Sequence, residues 1–283
     1  FNGLWVNIGW ALLAAAVAMC NAFSSAQLAA SHAVSGGTYE YGYRYLRPWM
    51  GFTAGWMFLC AKSASAAAAA LGFAAYALGL SGQSLHGQAA VGAIGVALFT
   101  ALVLGGMQRS NWVNIAIVSF TLLALGTFIV AGMPTLARQG TGMLTPFFNE
   151  AGGSGARDFL YSTALMFVAF TGYGRIATMG EEVRKPHQII PRAIIVTLII
   201  STLLYVLVAA VVIGVAGTEQ FATSMGPYAV KLSGVARLLG APWIATVVSL
   251  GAVTAMLGVL LNLILGLSRV ALAMGRRGDL PPV

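Results

Sequence analysis

A chain of 283 residues that is 59% hydrophobic and 8% charged, with a mean hydropathy of +0.85, cannot fold as a soluble domain, which carries about a quarter charged residues. Its formal net charge of +8 would suggest nucleic acid in a soluble protein; here it reflects Lys and Arg gathered in cytoplasmic loops, and no nucleic-acid partner is expected. Cys20 and Cys60 lie in apolar stretches and imply no disulfide, and His32, His86 and His187 are too far apart for a metal site, so neither metal nor cofactor is expected.

Apolar segments near the roughly 20 residues that cross a hydrocarbon core recur at 8–31, 50–79, 88–106, 111–133, 157–180, 190–216 and 243–274. They predict an all-α, multi-pass membrane protein with seven transmembrane helices in one domain over 1–283, placed in the plasma or inner membrane. The second and last segments are long enough to require tilt or an extension beyond the bilayer. Trp5, Trp10, Trp49, Trp112 and Trp243 fall near segment ends, where interfacial aromatics belong. The chain opens on Phe1 with no charged leader, and its first segment is too long for a cleaved signal peptide, so a removed N-terminus or a fragment is expected.

Between the first two segments, Gly36-Gly37-Thr38-Tyr39-Glu40-Tyr41-Gly42-Tyr43-Arg44 alternates tyrosines like a strand, and in this setting predicts an interfacial hinge with tyrosines at headgroup level. Lys62 follows, about twelve residues into the second segment and so near mid-depth. Ser63, Ser65 and the run Ala66–Ala70 beside it form a face that lets another backbone approach closely. No Asp or Glu lies at membrane depth, so Lys62 has no internal acid to pair with and is a candidate for exchanging a coupled proton.

Lys and Arg separate into two sets. Arg44, Arg47, Arg109, Arg184, Lys185, Arg192, Arg269, Arg276 and Arg277 lie on one side; Arg138, Arg157, Lys231 and Arg237 lie on the other. The richer side is cytoplasmic, so the chain begins outside and ends inside, an order that a preceding helix would explain. Residues 134–156 are rich in Gly, Thr and Pro and predict a loop. In 217–241, Leu232, Val235, Leu238 and Leu239 recur at helical spacing with Lys231 and Arg237 opposite. A short amphipathic helix over the outer mouth fits, and the spacing does not separate an interfacial role from a gating one.

The most informative stretch is Phe170-Thr171-Gly172-Tyr173-Gly174-Arg175, inside the fifth segment. Close helix packing is one reading of the two glycines. The other is a broken helix, which is tolerated at membrane depth only where freed backbone lines a cavity or is buried in protein, as in the substrate sites of secondary transporters. The flanking Thr171 and Arg175, and a position roughly 20 Å into the span at about 1.5 Å per residue, favour the second reading. Non-helical backbone at 171–174 is therefore expected, and Arg175 either works at depth or snorkels to the inner interface. The charged loop Glu181-Glu182-Val183-Arg184-Lys185-Pro186 reads as solvated or as a set of ion pairs closing the cytoplasmic side.

Together these residues resemble the amino acid–polyamine–organocation transporters, the superfamily that shares the leucine-transporter fold. Gly36-Gly37-Thr38-Tyr39 through Gly51-Phe52-Thr53-Ala54-Gly55-Trp56 resembles the loop joining that family's second and third helices. Asn111-Trp112-Val113-Asn114 resembles the start of its fifth. Glu181-Glu182-Val183 with Pro186 and Ile190-Pro191-Arg192-Ala193 resembles the loop between its sixth and seventh, and Ser268-Arg269 with Met274 through Pro281 the end of its eighth. The resemblance implies a partial inverted-repeat fold covering the second to eighth helices, with one broken helix. The first helix and those after the eighth would be absent, so this chain alone is expected not to accumulate substrate. It further implies that Phe170, Thr171, Gly172, Tyr173 and Gly174 bind the substrate's amino and carboxylate groups through unwound backbone, with the Tyr173 ring alongside. Many relatives carry an acidic residue where this chain has Gly174. Some proton-coupled relatives carry a lysine in the fifth helix where, by register, Thr121 stands here, which draws attention to Lys62.

The function expected is secondary active transport of amino acids or related amines, with a proton more expected than sodium as the coupling ion and the lipid bilayer as the setting. Ion-coupling candidates are Lys62, Thr121 and Arg175. The chain has no nucleotide-binding motif, so an ion gradient or exchange supplies the energy; it also lacks a nucleophile–base constellation at depth, so no enzyme is expected. The alternative is a seven-helix receptor or retinal protein. A Schiff-base lysine belongs on the last helix of such a protein, and 243–274 has none.

Overall fold

The structure, a computed structural model, describes residues 4–32, 34–82, 86–139, 155–178, 183, 185–223 and 231–280. These fold into α1 (Leu4–Ser31), α2 (Thr38–Tyr45), α3 (Pro48–Leu80), α4 (Gln88–Leu104), α5 (Met107–Gln139), α6 (Gly155–Phe170), a 3-10 segment (Thr171–Thr178), α7 (Pro186–Thr223), α8 (Lys231–Arg237) and α9 (Pro242–Arg277). Pro48, Pro186 and Pro242 open their helices, where a missing N–H costs nothing and the fixed φ suits the first turn. In α7, Gly217 at φ +70° breaks the helix near its outer end.

Each of the seven predicted segments is mostly helical over its described residues. Five helices among the described residues are long and apolar enough to cross a bilayer, while α4 is a shorter apolar helix of 17 residues and α6 gives way to the 3-10 segment. Only 17% to 39% of each long apolar window is buried, and Leu98, Leu123, Val130 and Trp56 stand exposed, as apolar side chains do on helices that cross a bilayer. This is a multi-pass membrane protein.

Two predicted loops differ. The hinge at 36–44 contains α2, a helix whose Glu40 lies in the first turn and Arg44 in the last, each at the end of the helix dipole that favours its charge. Residues 134–139, assigned to a loop, continue α5, because Pro134 sits near the helix end and removes only one ladder bond. At the other end of that loop Gly155 and Ala156 already belong to α6, while residues 140–154, and the carboxylates Glu181 and Glu182, lie outside the described residues. Of the predicted amphipathic helix, Lys231–Arg237 forms α8, with Val235 and Ala236 buried and Arg237 exposed; Leu238 and Leu239 follow its end in a turn, and Leu238 is exposed.

The chain divides into two compact units. One unit comprises Phe1–Gly9, Ser65–Gly155 and Tyr205–Ile264. Its core joins Ala69 and Ala70 of the alanine run to Leu260, flanked by Val96 and Ile264. A methyl placed on Gly92 would lie 3.2 Å from the Ala70 carbonyl oxygen, so the alanine run does admit a neighbouring backbone. Polar pairs join α5 to α9: Asn262 Nδ2 donates to Asn114 Oδ1 at 2.9 Å, and the Thr121 and Thr254 hydroxyls are 3.0 Å apart.

The other unit comprises Trp10–Ala64, Ala156–Leu204 and Leu265–Val283. Ala11, Ala14, Ala15, Ala18, Ala22, Ala26 and Ala29 form a buried stripe along α1. A nitrogen of the His187 ring pairs with the Ala30 carbonyl, joining the start of α7 to the end of α1. Helix α2 crosses α3 glycine on glycine, where a methyl on Gly42 would lie 2.6 Å from Gly51 Cα. Backbone cannot yield there, so Gly42→Ala is expected to cost about 1–3 kcal/mol and lower the melting temperature in detergent. Gly126→Ala in α5 meets nothing within 4 Å and should leave melting unchanged or raised.

Candidate functional site

Helix α6 begins with Asp158 in its first turn, suited to the positive end of the helix dipole. Its α-helical pairing stops at Phe170, where Thr171 and two glycines enter the sequence. Each glycine lowers helix preference by about 1 kcal/mol relative to alanine. The Thr171 hydroxyl donates to the Val168 carbonyl, three residues back, at 2.8 Å. The segment Thr171–Thr178 then continues as a 3-10 helix of 8 residues, about twice the usual length.

The expectation of non-helical backbone at 171–174 is thereby corrected to a tighter helix. Unpaired backbone costs several kcal/mol away from water, and i→i−3 pairing keeps the donors satisfied while abandoning the α pitch.

The 3-10 pitch of three residues per turn puts Phe170 and Tyr173 on one edge, and both are buried, at 3% and 6% exposure. Gly172 is exposed, with Thr171 and Gly174 half-buried. Neither glycine has a positive φ, and a methyl on either would meet nothing within 4 Å among the described residues. Packing therefore gives no reason for these glycines, and neither does backbone conformation. What Gly172 leaves is an exposed stretch of backbone without a side chain, next to the buried Tyr173 ring. Arg175 lies on the same segment, and its side chain is outside the described residues.

Lys62 sits half-buried on α3, its ammonium 5.9 Å from the centroid of the Phe58 ring. At that distance the ring face attracts the cation. No carboxylate pairs with Lys62 among the described residues. Ser63 and Ser65 beside it are exposed.

Thr121 belongs to the other unit, on α5. Its hydroxyl lies 2.9 Å from the Ile117 carbonyl oxygen and 3.0 Å from Thr254 Oγ1, which in turn lies 2.9 Å from the Gly251 carbonyl oxygen. Two hydroxyl protons serve three contacts, so only two are hydrogen bonds at any moment. Thr254 and Asn262 were missed in the sequence. Their signal was a matched spacing: Asn114 and Thr121 are seven residues apart on α5, Thr254 and Asn262 eight apart on α9, as antiparallel partners should be.

Comparison with known proteins follows the same direction. The profile of the amino acid permease family matches residues 3–283. An uncharacterized transporter of Mycobacterium tuberculosis is 43% identical over 270 residues, covering 95% of this chain and 58% of that protein. The branched-chain amino acid permease of Bacillus subtilis is 29% identical over 288 residues, covering 95% of this chain and 60% of that protein. The methylthioribose transporter of the same organism is 28% identical over 291 residues, covering 95% and 59% respectively. The chain thus spans under two thirds of the length of these relatives.

Proposed function

Because the chain belongs to the amino acid permease family, we propose that the whole protein is a secondary active transporter carrying an amino acid or a related amine across the plasma membrane. The receptor and retinal alternative falls with the family match, and no chemical step is assigned to the chain. The observation that carries the proposal is the change of pitch after Phe170, at two glycines that neither packing nor φ requires. The segment Phe170, Thr171, Gly172, Tyr173 and Gly174 holds the substrate's amino and carboxylate groups, with exposed backbone at Gly172 and the buried Tyr173 ring beside it; the open glycine next to a buried aromatic supports this placement. A relative named for branched-chain amino acids supports a substrate bearing both groups. The coupling ion is a proton, carried by Lys62, with Thr121 and Arg175 as further coupling candidates; a half-buried amine without a carboxylate partner among the described residues supports this assignment.

The test is uptake into proteoliposomes by the protein expressed over its whole coding sequence, with labelled amino acids and amines under inward proton, inward sodium or no gradient. Saturable uptake of at least one compound, driven by the proton gradient and indifferent to sodium, is expected. Uptake of none, with correctly inserted protein, would refute transport; uptake driven by sodium alone would refute the proton.

A further inference from the structure

Residues 36–45 are joined to both the 3-10 segment and the end of α9. At Gly37, with φ +53°, a methyl would lie 3.0 Å from Cγ2 of Thr178, the last residue of the 3-10 segment and itself buried. At Gly36, with φ +112°, a methyl would lie 2.9 Å from Ala273 Cβ on α9. The two-glycine turn is therefore pressed between the two, in a conformation that only glycine adopts without strain.

The helix that follows is fixed to α9 by packing and by polar contacts. Tyr39 is fully buried with Val270, Ala273 and Met274. The Tyr39 and Tyr43 hydroxyls both donate to Asp279 Oδ2, at 2.7 and 2.6 Å. Arg277 donates through Nε and Nη2 to the two Glu40 carboxylate oxygens, at 3.0 and 2.5 Å, and its guanidinium lies 4.5 Å from the Tyr43 ring centroid. Burial first, and then Asp279, pushes the Tyr39 phenol far above its ordinary range; for Tyr43 the hydrogen bond to Asp279 is the main cause of its rise. Both phenols thus remain donors at any pH the cell meets. An eight-residue helix is not stable by itself in water, so these contacts are what hold α2 in place.

We propose that α2 is a strut that fixes Thr178, and with it the far end of the substrate segment, to the end of α9, making Tyr39, Glu40, Tyr43, Arg277 and Asp279 positioning residues for substrate binding. The inference rests on the permease reading and adds which residues hold the segment's far end. A segment held in place before the substrate arrives has less ordering to undergo on binding, so loosening the strut lowers affinity and leaves the later steps alone.

The experiment measures KM, Vmax and detergent melting for Asp279→Ala and Arg277→Gln in the protein expressed over its whole coding sequence. Each variant is expected to raise KM about tenfold with Vmax within about twofold of wild type. Asp279→Ala strands the buried Tyr39 hydroxyl and can unfold the protein; Arg277→Gln changes an exposed end and keeps the test decisive. Glu40→Cys with Arg277→Cys, joined by a short bis-methanethiosulfonate bridge, is expected to keep the wild-type KM and to go on transporting. An unchanged KM in folded Arg277→Gln would overturn the strut, and so would a bridged pair that binds substrate but stops transporting, since the contact would then be a gate that opens. A wild type that transports nothing fails the permease reading itself, and the strut with it; an active wild type with unmoved variants fails the strut alone.

Discussion

Gly172→Ala and Gly174→Ala proteins are expected to be at least as heat-stable as the wild type and to transport between about tenfold and a hundredfold more slowly. The stability half follows from open space: among the described residues a methyl at either position meets nothing within 4 Å, and neither glycine has a positive φ. Alanine is also the better helix former by up to about 1 kcal/mol. The transport half follows from what the methyl covers. If substrate groups pair with these peptides, each blocked hydrogen bond at a water-poor site costs about 1–3 kcal/mol. Stability and transport therefore move in opposite directions, which close helix packing cannot produce. Melting curves and initial uptake rates on the same preparations check this; a fall in melting temperature with uptake intact would return the glycines to a packing role.

Lys62→Met is expected to abolish accumulation against a gradient while substrate exchange at equal concentrations persists. The lysine lies half-buried on a membrane-spanning helix, with the Phe58 ring as its partner and no carboxylate beside it among the described residues. The ring contact is worth only about 0.5–2 kcal/mol, so among the described residues no strong partner fixes the amine, the group assigned to carrying the proton. Methionine keeps the length and the apolar stem without the proton. Lys62→Arg should lose accumulation as well, because a guanidinium does not deprotonate at any pH the protein meets. The pH dependence of uptake should flatten in both variants. If Lys62→Met accumulates substrate with an unchanged pH profile, the lysine is structural and coupling lies elsewhere.

The membrane helices were legible because lipid imposes length and hydropathy on every crossing segment. The break was legible for the opposite reason: Thr171, Gly172, Gly174 and Arg175 are what an apolar span otherwise avoids. Its 3-10 character was not, since that depends on the demand that backbone donors stay paired, which the Thr171 hydroxyl at Val168 accompanies. Helix α2 was misread because Tyr39, Tyr41 and Tyr43 alternate with period two, while the burial that makes them helical comes from Val270, Ala273 and Met274, more than two hundred residues away. Asp279 is invisible for the same reason: a single aspartate after a helix end says nothing until two tyrosine hydroxyls converge on it. Polar partners within the membrane fall between these cases. Thr121 stood out by register, and Thr254 and Asn262 only once α5 and α9 are seen side by side.

The most direct test of the central claim is a structure of the protein, expressed over its whole coding sequence, with its transported substrate bound. The account predicts the substrate's amino and carboxylate groups within about 3 Å of backbone atoms of residues 170–174, with the Tyr173 ring alongside. Substrate density elsewhere, with the 170–178 backbone untouched and covered by side chains, would contradict it.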